Sequence, residues 1–227
     1  MRGAGQRGIA TLQALTCEAW RLRLLTGVEE SLRLSGYRRI AGVDEAGRGG
    51  LAGPVVAAAV IPDPDRPVPG VDDSKRLSPE RRRRLAEAIR DSAVAWAVVP
   101  AAAALIDRIN VLEATRGAMT QAVARLAPAP DCVLVDAVAL PASQAPALPL
   151  VRADGLAYAV ACASILAKVE RDEWMEGLDR RYPQYGFAGH KGYGAPRHLE
   201  ALAAYGPTPE HRLTFRSVLP RLEAASA

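Results

Sequence analysis

The chain has 227 residues, 49% hydrophobic and 24% charged, with a formal net charge of +4; this predicts one soluble globular domain with an adequate core and permits a polyanionic partner. The longest apolar stretch, residues 93–106, contains Pro100 and falls short of the ~20 residues a bilayer span needs, while Glu18, Arg21 and Arg23 break the early apolar segment a signal peptide would use. Three distant cysteines, Cys17, Cys132 and Cys162, lack C-x-x-C spacing and a histidine cluster, so neither a disulfide framework nor a zinc site is indicated and a cytoplasmic location is expected.

In chain order, residues 11–36 predict an amphipathic helix or helix pair ending at Gly36. Residues 38–45 and 54–61 predict two strands of a hairpin around a glycine-rich bend. Residues 62–70 read as loop. Ser78-Pro79-Glu80 is a helix start, with cap, pre-set proline and acidic first turn in order, and its helix runs to about Arg90. The run Arg81 to Arg84 reads as a solvated face whose position opposes the helix dipole.

Residues 93–99 predict a strand, 101–127 an alanine-rich helix interrupted near Asn110, and 132–135 a short buried strand ending at Asp136, bracketed by loops at 127–130 and 140–149. Residues 155–180 predict a long helix, small and apolar on nearly all sides until Lys168; residues 182–206 read as loop and helix. This order predicts a layered α/β domain with a mixed sheet.

Four carboxylates stand out. Asp44 and Glu45 are adjacent at the end of an apolar strand, where the two-residue period sends neighbours to opposite faces unless the strand ends or twists. Asp136 directly follows Val133-Leu134-Val135, and Asp154 precedes the long helix. Taken singly, the latter two are ordinary turn and N-cap residues. If the strands of Asp44 and Asp136 are parallel neighbours, both emerge at strand carboxyl ends, where sites form in open α/β sheets. Four carboxylates without histidine or cysteine select hard divalent cations, Mg²⁺ or Mn²⁺, and two such ions suit phosphoryl transfer. Of 29 basic residues only three are lysine, Lys75, Lys168 and Lys191, each in a polar cluster. Lysine supplies a compact charge that arginine does not.

The segments VDEAGRGGLAGPVVAAAVI (43–61), DDSKRLS (72–78), VLVDA (133–137), ADGLAYAVACASILAKVERD (153–172) and YPQYGFAGHKGYGAPRHLEAL (182–202) together resemble bacterial ribonuclease HII, the type 2 ribonuclease H family. The resemblance runs in order from about Ile40 to Phe215. Small departures occur: VDA and GYGA stand where the family more often has VDG and GYGT.

The resemblance implies a ribonuclease H-like fold with a central mixed five-stranded sheet flanked by helices, comprising residues 37–220 with a helical C-terminal part, after a helical extension (1–36) and before a tail (221–227). It implies a metal-binding catalytic tetrad of Asp44, Glu45, Asp136 and Asp154 holding two Mn²⁺ or Mg²⁺ ions. Gly47-Arg48-Gly49 would read the ribose 2′-OH at an RNA–DNA junction, and Tyr193 would stack on the junction sugar. Lys75, Ser164 and Lys168 would contact phosphates or brace the site; Ser164 and Lys168, four apart, share a helix face. The implied activity is that of a monomeric endonuclease, without a membrane partner, on RNA–DNA hybrids and on DNA duplexes containing ribonucleotides. It would cut 5′ to the ribonucleotide, giving 3′-OH and 5′-phosphate ends, in removal of misincorporated ribonucleotides and RNA primers. A two-metal DNA nuclease and a non-catalytic nucleic-acid-binding module are the rival readings, distinguished by cleavage of all-DNA duplex and by binding without turnover.

Overall fold

The computed structural model describes residues 2–136, 138–140, 143–150 and 153–219. Ala137, Arg152 and the tail from 221 lie outside the described residues.

Five strands, β1 (Ile40–Ala46), β2 (Val55–Ile61), β3 (Ala95–Ala101), β4 (Cys132–Asp136) and β5 (Ala147–Leu150), form one sheet in the order β3-β2-β1-β4-β5. The β1–β2 and β2–β3 pairs are antiparallel; β1–β4 and β4–β5 are parallel. The mixed five-stranded α/β architecture matches the expectation. Strand β5 does not: its residues 147–149 lie within the segment read as loop. Pro149 masked it, but a proline is tolerated where a strand borders only one neighbour.

The helices are α1 (Arg2–Leu25), α2 (Gly27–Leu34), α3 (Pro79–Ser92), α4 (Ala103–Ile109), α5 (Val111–Ala124), α6 (Tyr158–Arg181), α7 (Phe187–His190) and α8 (Pro196–Tyr205). Ser78 caps α3, its hydroxyl accepting from Arg81 N at 3.3 Å. Asn110, at φ 68°, separates α4 from α5 and caps the latter by accepting from Leu112 N and Glu113 N. Among the described residues, no helix is long and apolar enough to cross a membrane.

Three layers result. Alternate residues of the sheet, including Ala41, Val43, Ala57, Val133 and Val135, pack with Ala118, Met119 and Ala122 of α5. The other face carries α6, with α3 beside it, in a cluster containing Ala58, Val60, Leu85, Ile89, Ile165 and Leu166. The small residues of α6 let it approach closely: a Cβ at Gly42 in β1 would overlap the backbone of Ala159 and Val160. That contact fixes α6 over the strand that bears Asp44.

The long helix begins at Tyr158, three residues later than its sequence pattern predicts, because Ala153–Gly155 forms a separate 3-10 turn. Ala157 offers no side-chain cap. Glu29 of α2 supplies one instead, accepting from Ala159 N at 2.7 Å, and is itself buried. The N-terminal helices also clamp residues 70–71: Glu18 accepts from Gly70 N at 2.6 Å, and Arg21 donates to Val71 O at 2.7 Å.

Candidate active site

Parity along the strands distributes the carboxylates. Asp44 and Glu45 remain paired with Ala58 and Ala57, and β1 ends one residue later at Ala46. Because Val43 faces α5, Asp44 faces α6 and Glu45 the opposite side. The parallel register of Val43 with Val135 makes Asp44 and Asp136 the next opposed residues, and the same alternation puts Asp136 on the α6 side.

Asp154 arrives from the 3-10 turn before α6. That turn is tied to β4, since Asp136 Oδ1 accepts from Ala153 N at 2.9 Å. Asp44 Oδ1 accepts from Glu45 N at 2.8 Å, and Ser164 of α6 supplies a side-chain hydrogen bond. Ser164 Oγ lies 3.0 Å from the buried Ser74 Oγ, joining the 72–78 segment to this centre.

The electrostatics are those of crowded anions. Burial, then the charge of Glu45, holds the Asp44 carboxyl well above the usual aspartate range, and Asp136 adds to this. Burial also raises Glu45, against the opposing pull of Arg48, whose guanidinium lies 3.3 Å away. At Lys75 burial works against the ammonium, but Asp154, Asp73 and Asp44 outweigh it and raise its pKa. Its Nζ is 3.4 Å from Asp154.

The donor chemistry fits a divalent cation: the nearby groups are oxygen acceptors, and two of them are held in a state that added positive charge would relieve. As the side chains stand, no group of three or more His, Cys, Asp or Glu among the described residues forms an ion-holding cluster. Lys75 and Arg48 instead pair with Asp154 and Glu45.

The remaining expected residues separate into two groups. Gly49 and Tyr193 adjoin one another, since a Cβ at Gly49 would stand 3.8 Å from Tyr193 Cε1. Lys168 turns elsewhere, binding Asp172 at 2.6 Å rather than a member of the tetrad.

Sequence reasoning missed the supports beneath this surface. Arg171, fully buried, lies against Gly47 and Gly50, donates to Pro54 O and Ala52 O, and stacks under the Tyr193 ring at 5.1 Å. Arg212, also fully buried, donates to Gly47 O, Arg48 O and Gly53 O. Burial lowers its pKa to about 9, assisted by the neighbouring charge of Arg171. Arg82 corrects the solvated reading of residues 81–84: it is buried, donating to Ser74 O and Leu77 O and pairing with Asp172. An arginine run carries no signal that distinguishes the buried member.

All three histidines gather beneath Tyr193. His211 Nδ1 accepts from Thr208 N, so its Nε2–H donates to His198 Nε2 at 3.0 Å; His198 Nδ1–H then donates to Tyr193 O at 2.8 Å. His190 Nε2 donates to Tyr185 O while its Nδ1 accepts from Gly192 N. This network requires neutral rings. Burial, then His198, lowers the His211 pKa from 6.5 to about 4. Because the folded value is depressed, the stabilisation is present above pH 6.5 and is lost as pH falls toward 4. The contribution reaches about 3 kcal/mol. Thermal unfolding midpoints measured across that window should fall with acidification, and His211→Asn should show a shallower dependence with a lower midpoint at neutral pH. An unchanged slope would refute the assignment.

Comparison with known proteins places this geometry. The ribonuclease HII family profile matches residues 41–218. Ribonuclease HII from Geobacillus kaustophilus (strain HTA426) is 54% identical over 197 residues, covering 87% of this chain and 75% of that protein. Ribonuclease HII from Solibacter usitatus (strain Ellin6076) is 52% identical over 191 residues, covering 84% and 83% respectively. The crystal structure of ribonuclease H2 from Pyrococcus horikoshii OT3 superimposes with a TM-score of 0.67 at 28% identity, covering 80% of this chain and 95% of that one. With the family profile spanning most of its length and relatives sharing over half their aligned residues, the chain belongs to the ribonuclease HII family of endoribonucleases.

Proposed function

We propose that this protein hydrolyses the RNA strand of RNA–DNA hybrids and cuts duplex DNA on the 5′ side of single embedded ribonucleotides. The observation that carries this reading is the adjacency of the Gly49 backbone and the Tyr193 ring, at the end of the strand that bears Asp44 and Glu45. A sugar hydroxyl is both donor and acceptor, and it alone distinguishes ribose from deoxyribose. The Gly47-Arg48-Gly49 backbone would contact it, while the half-exposed Tyr193 ring packs against the sugar from the other side. Arg171 and Arg212 fix both surfaces from below.

Asp44, Glu45, Asp136 and Asp154 would hold two divalent cations, Mn²⁺ or Mg²⁺. When bound, these supply water activation and charge stabilisation at the leaving oxygen. Lys75 and Arg48 offset part of the carboxylate charge. In the overall reaction a water oxygen bonds to phosphorus and the P–O3′ bond breaks, leaving a 3′-OH and a ribonucleotide with a 5′-phosphate. The catalytic unit is residues 37–220, acting as a monomer in the cytoplasm in the removal of misincorporated ribonucleotides and RNA primers, with 1–36 as an extension.

The test is single-turnover cleavage of a duplex with one ribonucleotide beside the all-DNA duplex. Cleavage confined to the ribonucleotide-containing strand, with the stated ends, is expected. Equal cleavage of the all-DNA duplex would overturn the proposal.

A further inference from the structure

Between α3, α6 and the segment around α7 lies a cavity of about 410 Å³, lined by Arg82, Arg83, Lys168, Asp172, Glu176 and Lys191. Its charges form two bridges one helical turn apart. Asp172 joins Lys168 at 2.6 Å to Arg82 at 3.3 Å; Glu176 receives Arg83 at 2.8 Å and Lys191 at 2.9 Å on the same oxygen, Oε1. Four cations thus share two carboxylates, an excess of two positive charges.

The cavity is connected to the tetrad along α6. Ser164, Lys168, Asp172 and Glu176 recur every four residues, on one stripe of the helix. Ser164 bonds Asp44, and Arg82 donates to the carbonyl of Ser74, whose hydroxyl meets Ser164. Positions Lys168 to Glu176 lie ~6–18 Å along the axis from Ser164. A duplex lying along α6, at ~3.4 Å of rise per nucleotide, would put the cavity about two to five nucleotides from the cut.

We infer that this cavity is a subsite for a backbone phosphodiester of the polynucleotide several nucleotides from the scissile position, engaged by Arg83 and Lys191 with Lys168 behind them. The inference rests on the nuclease reading above. Two of the chain's three lysines line the cavity, where a compact ammonium suits a phosphate oxygen. A phosphate here would also relieve the repulsion between two cations that converge on one carboxylate oxygen.

The test is affinity for a duplex with one ribonucleotide, measured by fluorescence anisotropy in EDTA over a range of salt. Arg83→Gln/Lys191→Gln should weaken binding by about 10-fold and reduce the log–log salt slope by ~1–2. Glu176→Gln should act in the opposite direction, tightening binding, an effect that loss of a merely structural ion pair does not produce. Arg84→Gln, an exposed cation on the same helix that pairs with Glu80, should leave the slope unchanged. A wild-type slope in the double variant, with its thermal midpoint retained, overturns the subsite. So does specific competition by inorganic phosphate at matched ionic strength without a change in duplex slope, which would mark a site for the free anion. Failure of the nuclease reading is distinguishable, because it appears as wild-type protein that does not cut the ribonucleotide-containing strand.

Discussion

Asp44→Asn is expected to reduce strand cleavage by about 10³-fold or more while raising the thermal unfolding midpoint in chelator. The two effects have one origin. Asp44 is 6% exposed, and burial together with Glu45 and Asp136 disfavours its ionised form. Asparagine preserves the shape and the Oδ1 that accepts from Glu45 N, but removes the charge. Without a divalent cation the fold is relieved of a repelled, desolvated anion; with one, the variant would lack a carboxylate proposed to hold it. Asp136→Asn should lose comparable activity with a smaller gain in stability, because Asp136 is less buried than Asp44. Activity within about tenfold of wild type in either variant would remove that residue from the catalytic set. A lower midpoint for Asp44→Asn in chelator would refute the electrostatic account.

How far the site could be read from sequence depends on the residue type. Carboxylates at strand ends are conspicuous, because an acid beside an apolar run breaks the pattern; Asp44 and Asp136 then meet through β1–β4 pairing, which β-propensity alone does not specify. The arginines behave differently. Arg82, Arg171 and Arg212 are buried, but on a helix or in a loop an arginine reads as solvated until the carbonyls around it are known. Their partners, including Ala52, Pro54 and Gly47 carbonyls, are backbone groups that every residue possesses and that leave no sequence signature. Glu29 is another such case. Its role as cap of α6 links residues 130 positions apart, so no local capping pattern reveals it. The proline-containing β5 and the 3-10 turn at Asp154 were obscured by ordinary loop chemistry.

Gly47→Ala and Gly49→Ala should separate folding from substrate selection, although the two positions are only two residues apart. Gly47 has φ +95°, and a Cβ there would overlap Arg171 Nε and Cδ. Arg171 cannot swing aside freely: it is fully buried, bonded to Pro54 O and Ala52 O, and packed beneath Tyr193. The left-handed conformation alone costs a non-glycine residue about 1–2 kcal/mol, and the steric conflict adds to it, so Gly47→Ala should destabilise by at least ~2 kcal/mol in urea unfolding. At Gly49 a Cβ meets only Tyr193 Cε1, at an ordinary 3.8 Å. Gly49→Ala should therefore unfold within about 0.5 kcal/mol of wild type. The added methyl nevertheless enters the space between backbone and ring that the ribose would occupy, and cleavage at a single embedded ribonucleotide should fall by about 10²-fold, consistent with displacement of a bound group by roughly an ångström. Wild-type cleavage by Gly49→Ala would dissociate this backbone from ribose recognition, whereas a large loss of stability there would show that the constraint on the loop extends beyond Arg171.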